Sequence, residues 1–276
     1  GLCEIGGLIA SLLLWLGAGA WVGFEAERVQ AAHYTLQRHW AAAIFATART
    51  CFGLRFDVEG EVPPPERALL VFPRHASLID SFLPAVLFGA AGWRLRYVLK
   101  TELQLDPCLD VVGHRLPNHF LRRGSGDAAT EADAIARLAQ DLGPGEGVLL
   151  FPEGTRFRAD RRERILAALA DRDPERHARL SGLRQLLPPR TRGPQRVLEE
   201  ASDADVCVMA HRGFEGFASL RDLMGGGLVG RRIQLQLAFH PRASIPADPA
   251  ARIAWLDAQW LAMDDWLASI DTPDAA

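Results

Sequence analysis

The sequence predicts an α/β protein: a central, mostly parallel sheet flanked by helices, with an N-terminal membrane-associated helical segment before it. Two observations predict this. Past the turn-rich Pro63-Pro64-Pro65, short β-branched or leucine-rich runs alternate with helical stretches. Ahead of it, Ile5 to Phe24 carry no charge over twenty residues, about the thickness of a bilayer's hydrocarbon core at 1.5 Å per residue. The composition agrees. Of 276 residues, 49% are apolar and 24% charged, which excludes intrinsic disorder, a collagen-like repeat and an all-membrane bundle. The formal charge of −3 argues against a nucleic-acid partner held by bulk positive charge.

The elements follow in order. The first apolar segment lacks the basic n-region of a signal peptide, although Ala18-Gly19-Ala20 resembles a cleavage site. The chain starts at Gly1 without Met, so further residues are expected before it. A second helix is expected over Val29 to Phe52, with charge confined to Arg38 and Arg49. The pair forms either a hairpin dipping into one leaflet or a spanning helix followed by an interfacial one; the alternative is two core helices of a soluble domain. Arg28 and Arg38 after the first segment, with Glu4 before it, place the remainder on the cytoplasmic face of the inner membrane.

Strands are expected at Leu54–Val58, Ala68–Phe72, Leu95–Leu99, Gly147–Phe151, Asp205–Ala210 and Ile233–Phe239. A helix over Ala128–Leu142 is stopped by Gly143-Pro144-Gly145. Near the end, Ile253, Leu256, Trp260, Met263, Leu267 and Ile270 form one apolar helical stripe. With Asp257, Asp264 and Asp265 on its other faces, this helix is expected to pack on the protein, since an anionic membrane would repel it. The division is residues 1–55, N-terminal helices; 56–243, the central domain; and 244–276, the terminal helix. Cys3, Cys51, Cys108 and Cys207 lie far apart, without metal-ligand spacing, so neither a metal nor a disulfide framework is expected.

The chemistry-bearing residues follow two of these strands. His75 and Asp80 lie too far around a regular helix to meet, about 140° apart, but meet if His75 sits in the turn before the helix. Ser77 as N-cap, with Asp80 at the third helical position, fits that arrangement. The carboxylate then fixes the imidazole tautomer, and the pair acts as a general base; capping alone is the plainer reading of Asp80. After the strand ending at Phe151, Pro152-Glu153-Gly154-Thr155-Arg156 reads as an anion cradle, the alternative being an ordinary strand-to-loop turn with a surface Arg. Glycine permits close backbone approach, while Thr155 and Arg156 donate to phosphate oxygens.

His75 to Asp80 resembles the HX4D motif, and Phe151 to Arg156 the FPEGTR motif, of the glycerolipid acyltransferase family typified by 1-acylglycerol-3-phosphate acyltransferases. Lys100-Thr101-Glu102-Leu103 is similar to the family's KxEL stretch, and Phe120-Leu121-Arg122-Arg123 resembles its third block. Pro117 stands where that block usually has Gly, and Arg74 where Asn is frequent. Leu187 to Gly193 resembles the fourth block in the form typical of the lysocardiolipin and related lysophospholipid branch, and the terminal helix with Trp255, Trp260 and Trp266 is similar to that branch. The resemblance covers Phe56 to Phe239.

The resemblance implies transfer of a fatty acyl group from acyl-CoA or acyl-ACP, a co-substrate rather than a bound cofactor, to the hydroxyl of a lysophospholipid. The first expectation for the acceptor is 1-acylglycerol-3-phosphate. Alternatives are lysocardiolipin, an acylated amino acid lipid, or a non-catalytic anionic-lipid binding protein. His75 and Asp80 are the implied base dyad. Arg123, Thr155 and Arg156 would hold the acceptor's phosphate, with Gly154, Arg190 and Arg192 in the same binding blocks. Glu153 would either orient Arg156 or contact a substrate hydroxyl. Lys100, the single lysine among 31 basic residues, would contact phosphate or the pantetheine arm, the alternative being a buried stem with a surface ammonium. From Gly154 to Arg196, twelve arginines stand against five acids, a net of +7 that leaves −10 elsewhere, a basic face suited to anionic lipid, coenzyme A or acyl carrier protein.

Overall fold

In a computed structural model, the structure describes residues 2–14, 16, 27–77, 79–101, 111, 113–121, 128–217, 222 and 225–270. Two helices come first, α1 (Leu2–Leu14) and α2 (Glu27–Phe52). Then follow β1 (Arg55–Glu59), β2 (Leu69–Pro73), a 3-10 turn Ile79–Ser81, α3 (Phe82–Ala90) and β3 (Arg94–Lys100). Next are β4 (His119–Leu121), α4 (Ala128–Arg137), β5 (Glu146–Leu149), α5 (Ala159–Arg172), α6 (Pro174–Leu180) and α7 (Arg192–Glu200). The chain closes with β6 (Asp205–Arg212), β7 (Arg232–His240) and α8 (Pro249–Ser269).

Among the described residues the seven strands form one sheet in the order β1-β7-β6-β2-β5-β3-β4. Every neighbouring pair is parallel except β6 with β7. The central strands are buried on both faces, which is why Leu69 to Pro73 reads as an unbroken apolar run. Alternate residues serve opposite faces. Leu70 and Phe72 pack with Val148, Val206, Leu180, Val197, Leu256 and Trp260 on one side. Leu69 and Val71 pack with Leu149, Met209, Leu83, Phe88 and Leu235 on the other. Helices thus cover both faces, and β2 lies in the middle of the sheet.

All six expected strands are present, with ends shifted by up to two residues. β4 was not expected: three residues are too few to show an alternation. The helix expected over Ala128–Leu142 stops at Arg137 and continues as turns, and Asp141 carries a positive φ of 52° before the glycines. The terminal helix buries Leu256, Trp260, Met263 and Leu267 of its apolar stripe, with Trp260 and Leu267 fully enclosed, while Ile253 is half-buried and Ile270 lies just past the helix end. Two of its aspartates correct the expectation, because Asp257 and Asp264 are 0% and 1% exposed, while Asp265 faces solvent as expected. Each buried aspartate sits one residue along from a stripe position, so it shares the buried arc. Asp257 takes a two-pronged contact from Arg176, Nε to Oδ2 at 2.9 Å and Nη2 to Oδ1 at 2.7 Å. Asp264 accepts from Arg184 Nε at 3.2 Å, and Asp265 from Arg184 Nη2 at 2.7 Å.

The +7 segregation is therefore partly undone in space. Arg176, Arg179 and Arg184 are neutralised by α8, and Arg196 pairs with Asp133 and Glu199. At the N-terminus, α1 rests on α2, and Arg115 holds Ser11 while approaching His33. A small cluster of Tyr34, Leu116, Leu8, Leu36 and Trp40 joins these helices to the body. Among the described residues no helix is long and apolar enough to cross a membrane. Of the expected first segment, residues 15 and 17–24 lie outside the described residues.

Candidate active site

The ends of β2, β5 and β6 converge at one edge of the sheet, and the segments that follow β2 and β5 carry the expected motifs. β2 is buried along its length, and the chain leaves it at Arg74, whose amide still bonds to the Met209 carbonyl at 2.9 Å. His75 therefore lies in the turn, and Asp80 in the 3-10 turn that opens α3. They meet: His75 Nδ1 lies 3.3 Å from Asp80 Oδ2. Asp80 also caps. Its Oδ2 accepts from the Ala76 amide and from the Ser77 amide at 2.7 Å, and Oδ1 accepts from the Ser77 hydroxyl. The Ser77 hydroxyl in turn accepts from the Ile79 amide at 3.0 Å, a reciprocal cap of the expected type. The dyad and capping readings of Asp80 describe one carboxylate with both sets of contacts.

Asp80 is 1% exposed. Burial alone would raise its pKa, but His211 and His75 outweigh that and hold the carboxyl well below the usual carboxylate range. His211 was not singled out from the sequence. The available signal was a histidine directly after the apolar run Val206-Cys-Val-Met-Ala of an expected strand. Its Nε2 lies 3.4 Å from Asp80 Oδ1 and 3.3 Å from the Arg74 carbonyl.

The second motif braces the first. The His75 amide donates to Glu153 Oε1 at 2.9 Å, and the Leu187 amide to Glu153 Oε2 at 3.0 Å. The His75 carbonyl accepts from the Phe157 amide at 2.8 Å, and the imidazole packs on Phe151 with centroids 4.4 Å apart. Glu153 thus corrects the expectation that it orients Arg156 or meets a substrate hydroxyl: fully buried, it ties the His75 turn to the loop at Leu187. Its burial pushes the carboxyl up to about 8, against the pull of the two amides and Arg74.

Gly154 has φ +67°, and a Cβ there would fall 2.5 Å from Arg190 Nε, so glycine is needed both for the turn and for the guanidinium lying against it. The Arg190 amide bonds to the Pro152 carbonyl at 2.8 Å, joining the two blocks. Arg161, also unforeseen, donates to the Thr155 hydroxyl at 2.8 Å and to the Arg156 carbonyl at 3.0 Å. Arg156 is partly exposed beside it, while Arg192 is exposed at the start of α7. Among the described residues, neither Arg161 nor Arg190 forms an ion pair with a carboxylate. Lys100 ends β3, two strands from β2 and so about 10 Å across the sheet. Arg123 lies outside the described residues.

Arg74 stands where the resemblance expects Asn. It is 1% exposed, forms an ion pair with Glu215 and donates to the His211 carbonyl at 2.6 Å. It is therefore a buried brace rather than an exposed cation. A ring held on one side by a buried carboxylate can take a proton on the other, beside a cationic turn. This geometry suits activation of a hydroxyl near an anionic group.

The sequence profile of the Acyltransferase family matches residues 55–211, more than half of the chain, from β1 through His211. The chain belongs to that family. The lyso-ornithine lipid O-acyltransferase of Pseudomonas aeruginosa is 33% identical over 153 residues, 54% of this chain and 54% of that protein. The chain therefore spans about half the length of the curated relative it matches. The crystal structure of the 1-acyl-sn-glycerophosphate acyltransferase PlsC from Thermotoga maritima shares the fold. It superposes with a TM-score of 0.52 over 98% of this chain and 100% of that one, at 15% identity.

Proposed function

We propose that this member of the acyltransferase family transfers a fatty acyl group from acyl-CoA or acyl-ACP to the free hydroxyl of a lysolipid. The observation that carries the reading is the contact of His75 Nδ1 with the buried Asp80, beside the cationic turn Gly154-Thr155-Arg156. Asp80 orients the ring, and Nε2 removes the proton of the acceptor hydroxyl as its oxygen attacks the thioester carbonyl. The tetrahedral intermediate collapses by breaking the C–S bond, and the thiolate takes the proton back from the imidazolium. The products are an ester and a thiol, with no protein nucleophile required.

The acceptor is read first as 1-acylglycerol-3-phosphate, its phosphate held by Thr155, Arg156, Arg190 and Arg192, with Arg123 and Lys100 assigned by resemblance. The name of the Pseudomonas relative favours a second reading, an acylated amino acid lipid whose carboxylate takes the phosphate's place. The protein is placed at the membrane, on the cytoplasmic face. In support, α1 and its continuation leave Ile5, Ile9, Leu12, Leu13 and Leu16 more than half exposed.

The test is acyl transfer by purified protein from labelled acyl-CoA and acyl-ACP to a panel of 1-acylglycerol-3-phosphate, lyso-ornithine lipid and lysocardiolipin. His75→Ala is expected to lower kcat by about 10²- to 10⁴-fold. Equal transfer by wild type and variant would overturn the mechanism, and the preferred acceptor decides between the two readings.

A further inference from the structure

We infer that His211 is a positioning residue for this reaction, clasping both ends of the turn that carries the proposed base His75; this rests on the reading of His75 given above. His211 stands on β6, next to β2. The register pairs Pro73 with Met209, so two residues further along, His211 comes level with His75. Its side chain is 0% exposed. One nitrogen, Nε2, faces two oxygens: the Arg74 carbonyl at 3.3 Å, at the start of the turn, and Asp80 Oδ1 at 3.4 Å, at its end. Both are acceptors, so Nε2 carries the hydrogen. Among the described residues, Nδ1 is buried without a hydrogen-bond partner.

A ring that served only to pack would be better replaced by an apolar one, because burying an imidazole nitrogen without a partner is costly. The polar contacts that offset the cost lie on Nε2, and they point into the site. The clasp is mutual, since Arg74 Nη1 donates to the His211 carbonyl at 2.6 Å while Glu215 holds the guanidinium. His211 and the Ser77 hydroxyl share Oδ1, which fixes the rotation of the Asp80 carboxylate and keeps Oδ2 aimed at His75. Without His211, that carboxylate keeps its cap contacts but loses one of the two donors on Oδ1.

The experiment compares His211→Phe, His211→Gln and His211→Asn with wild type and His75→Ala, measuring kcat and acceptor KM in the acyl-transfer assay and thermal melting for each. A Gln amide nitrogen can take the place of Nε2, whereas an Asn amide falls near Nδ1 and cannot reach Asp80. The Phe and Asn variants are expected to lose about tenfold or more in kcat with acceptor KM nearly unchanged, and Gln to recover most of that loss. Should Phe fail to fold, the Gln and Asn pair carries the same comparison. Wild-type kcat in the Asn or Phe variant, or equal loss in Gln and Asn at equal melting temperature, would overturn the inference. An inactive His75→Ala beside unaffected His211 variants would remove His211 alone, whereas a fully active His75→Ala would remove the base itself.

Discussion

Glu153 shows how a single residue can be conspicuous in a motif and misread from it. Its partners are the amides of His75, 78 positions away, and of Leu187, 34 positions away, and a backbone donor has no signature in the sequence. His75 and Asp80 were legible because five residues of turn suffice to join them and the cap residue Ser77 announces the turn. Glu153→Gln replaces one acceptor oxygen by an amide that must face an N–H, so it is expected to cost about 1–3 kcal/mol. The cost depends on pH. The folded protein holds the carboxyl protonated up to about 8, while an unburied glutamate releases its proton near 4.5. The stabilising share due to that proton is therefore complete below about 4.5 and is lost as the pH rises through about 8. Urea unfolding of wild type and variant at pH 5 and pH 8.5 checks this: the gap between them should narrow at the higher pH, and a constant gap would refute the assignment.

Among the elements, α8 was legible as a helix with an apolar stripe, and its packing on the protein followed from that stripe. Its acids were not legible as buried, because periodicity sorts residues by polarity and is blind to a partner 81 positions away. Asp257 holds Arg176, and Arg176 Nη2 also donates to the Pro189 carbonyl at 2.7 Å, in the loop that carries Leu187 and Arg190 to the site. The terminal helix thus braces the cationic turn through one buried ion pair. Removing one member leaves the other charge buried and unpaired, so Asp257→Ala is expected to destabilise by about 3–5 kcal/mol, read from the urea midpoint. The double variant Arg176→Met, Asp257→Leu should recover most of that loss in stability. A single variant as stable as wild type would show that the pair bears no structural load.

For the whole molecule, alternation of strands and helices gave the α/β class but left the strand order open. Nothing local in Arg55–Glu59 says that it pairs with Arg232–His240 at the far edge, or that β6 and β7 run antiparallel. Charge was similarly legible in amount and not in effect. The +7 stretch is partly neutralised by α8, so electrostatic attraction to anionic lipid is expected to be weaker than the sequence suggests, and on the proposed reading the apolar face of α1 would contribute more to membrane contact than the arginines. Ile5, Ile9, Leu12, Leu13 and Leu16 fall at helical spacing on one face and are 51–63% exposed, while Ser11, toward the body, is buried. Five such side chains transferred from water at about 25 cal/mol per Å² amount to several kcal/mol, and salt does not screen that attraction. Wild type is therefore expected to float with vesicles of phosphatidylethanolamine and phosphatidylglycerol at both low and high salt. The double variant Ile9→Glu, Leu13→Glu should remain in the unbound fraction while still acylating a detergent-dispersed acceptor. Flotation that survives both glutamates but vanishes in high salt would assign the membrane contact to the arginines instead.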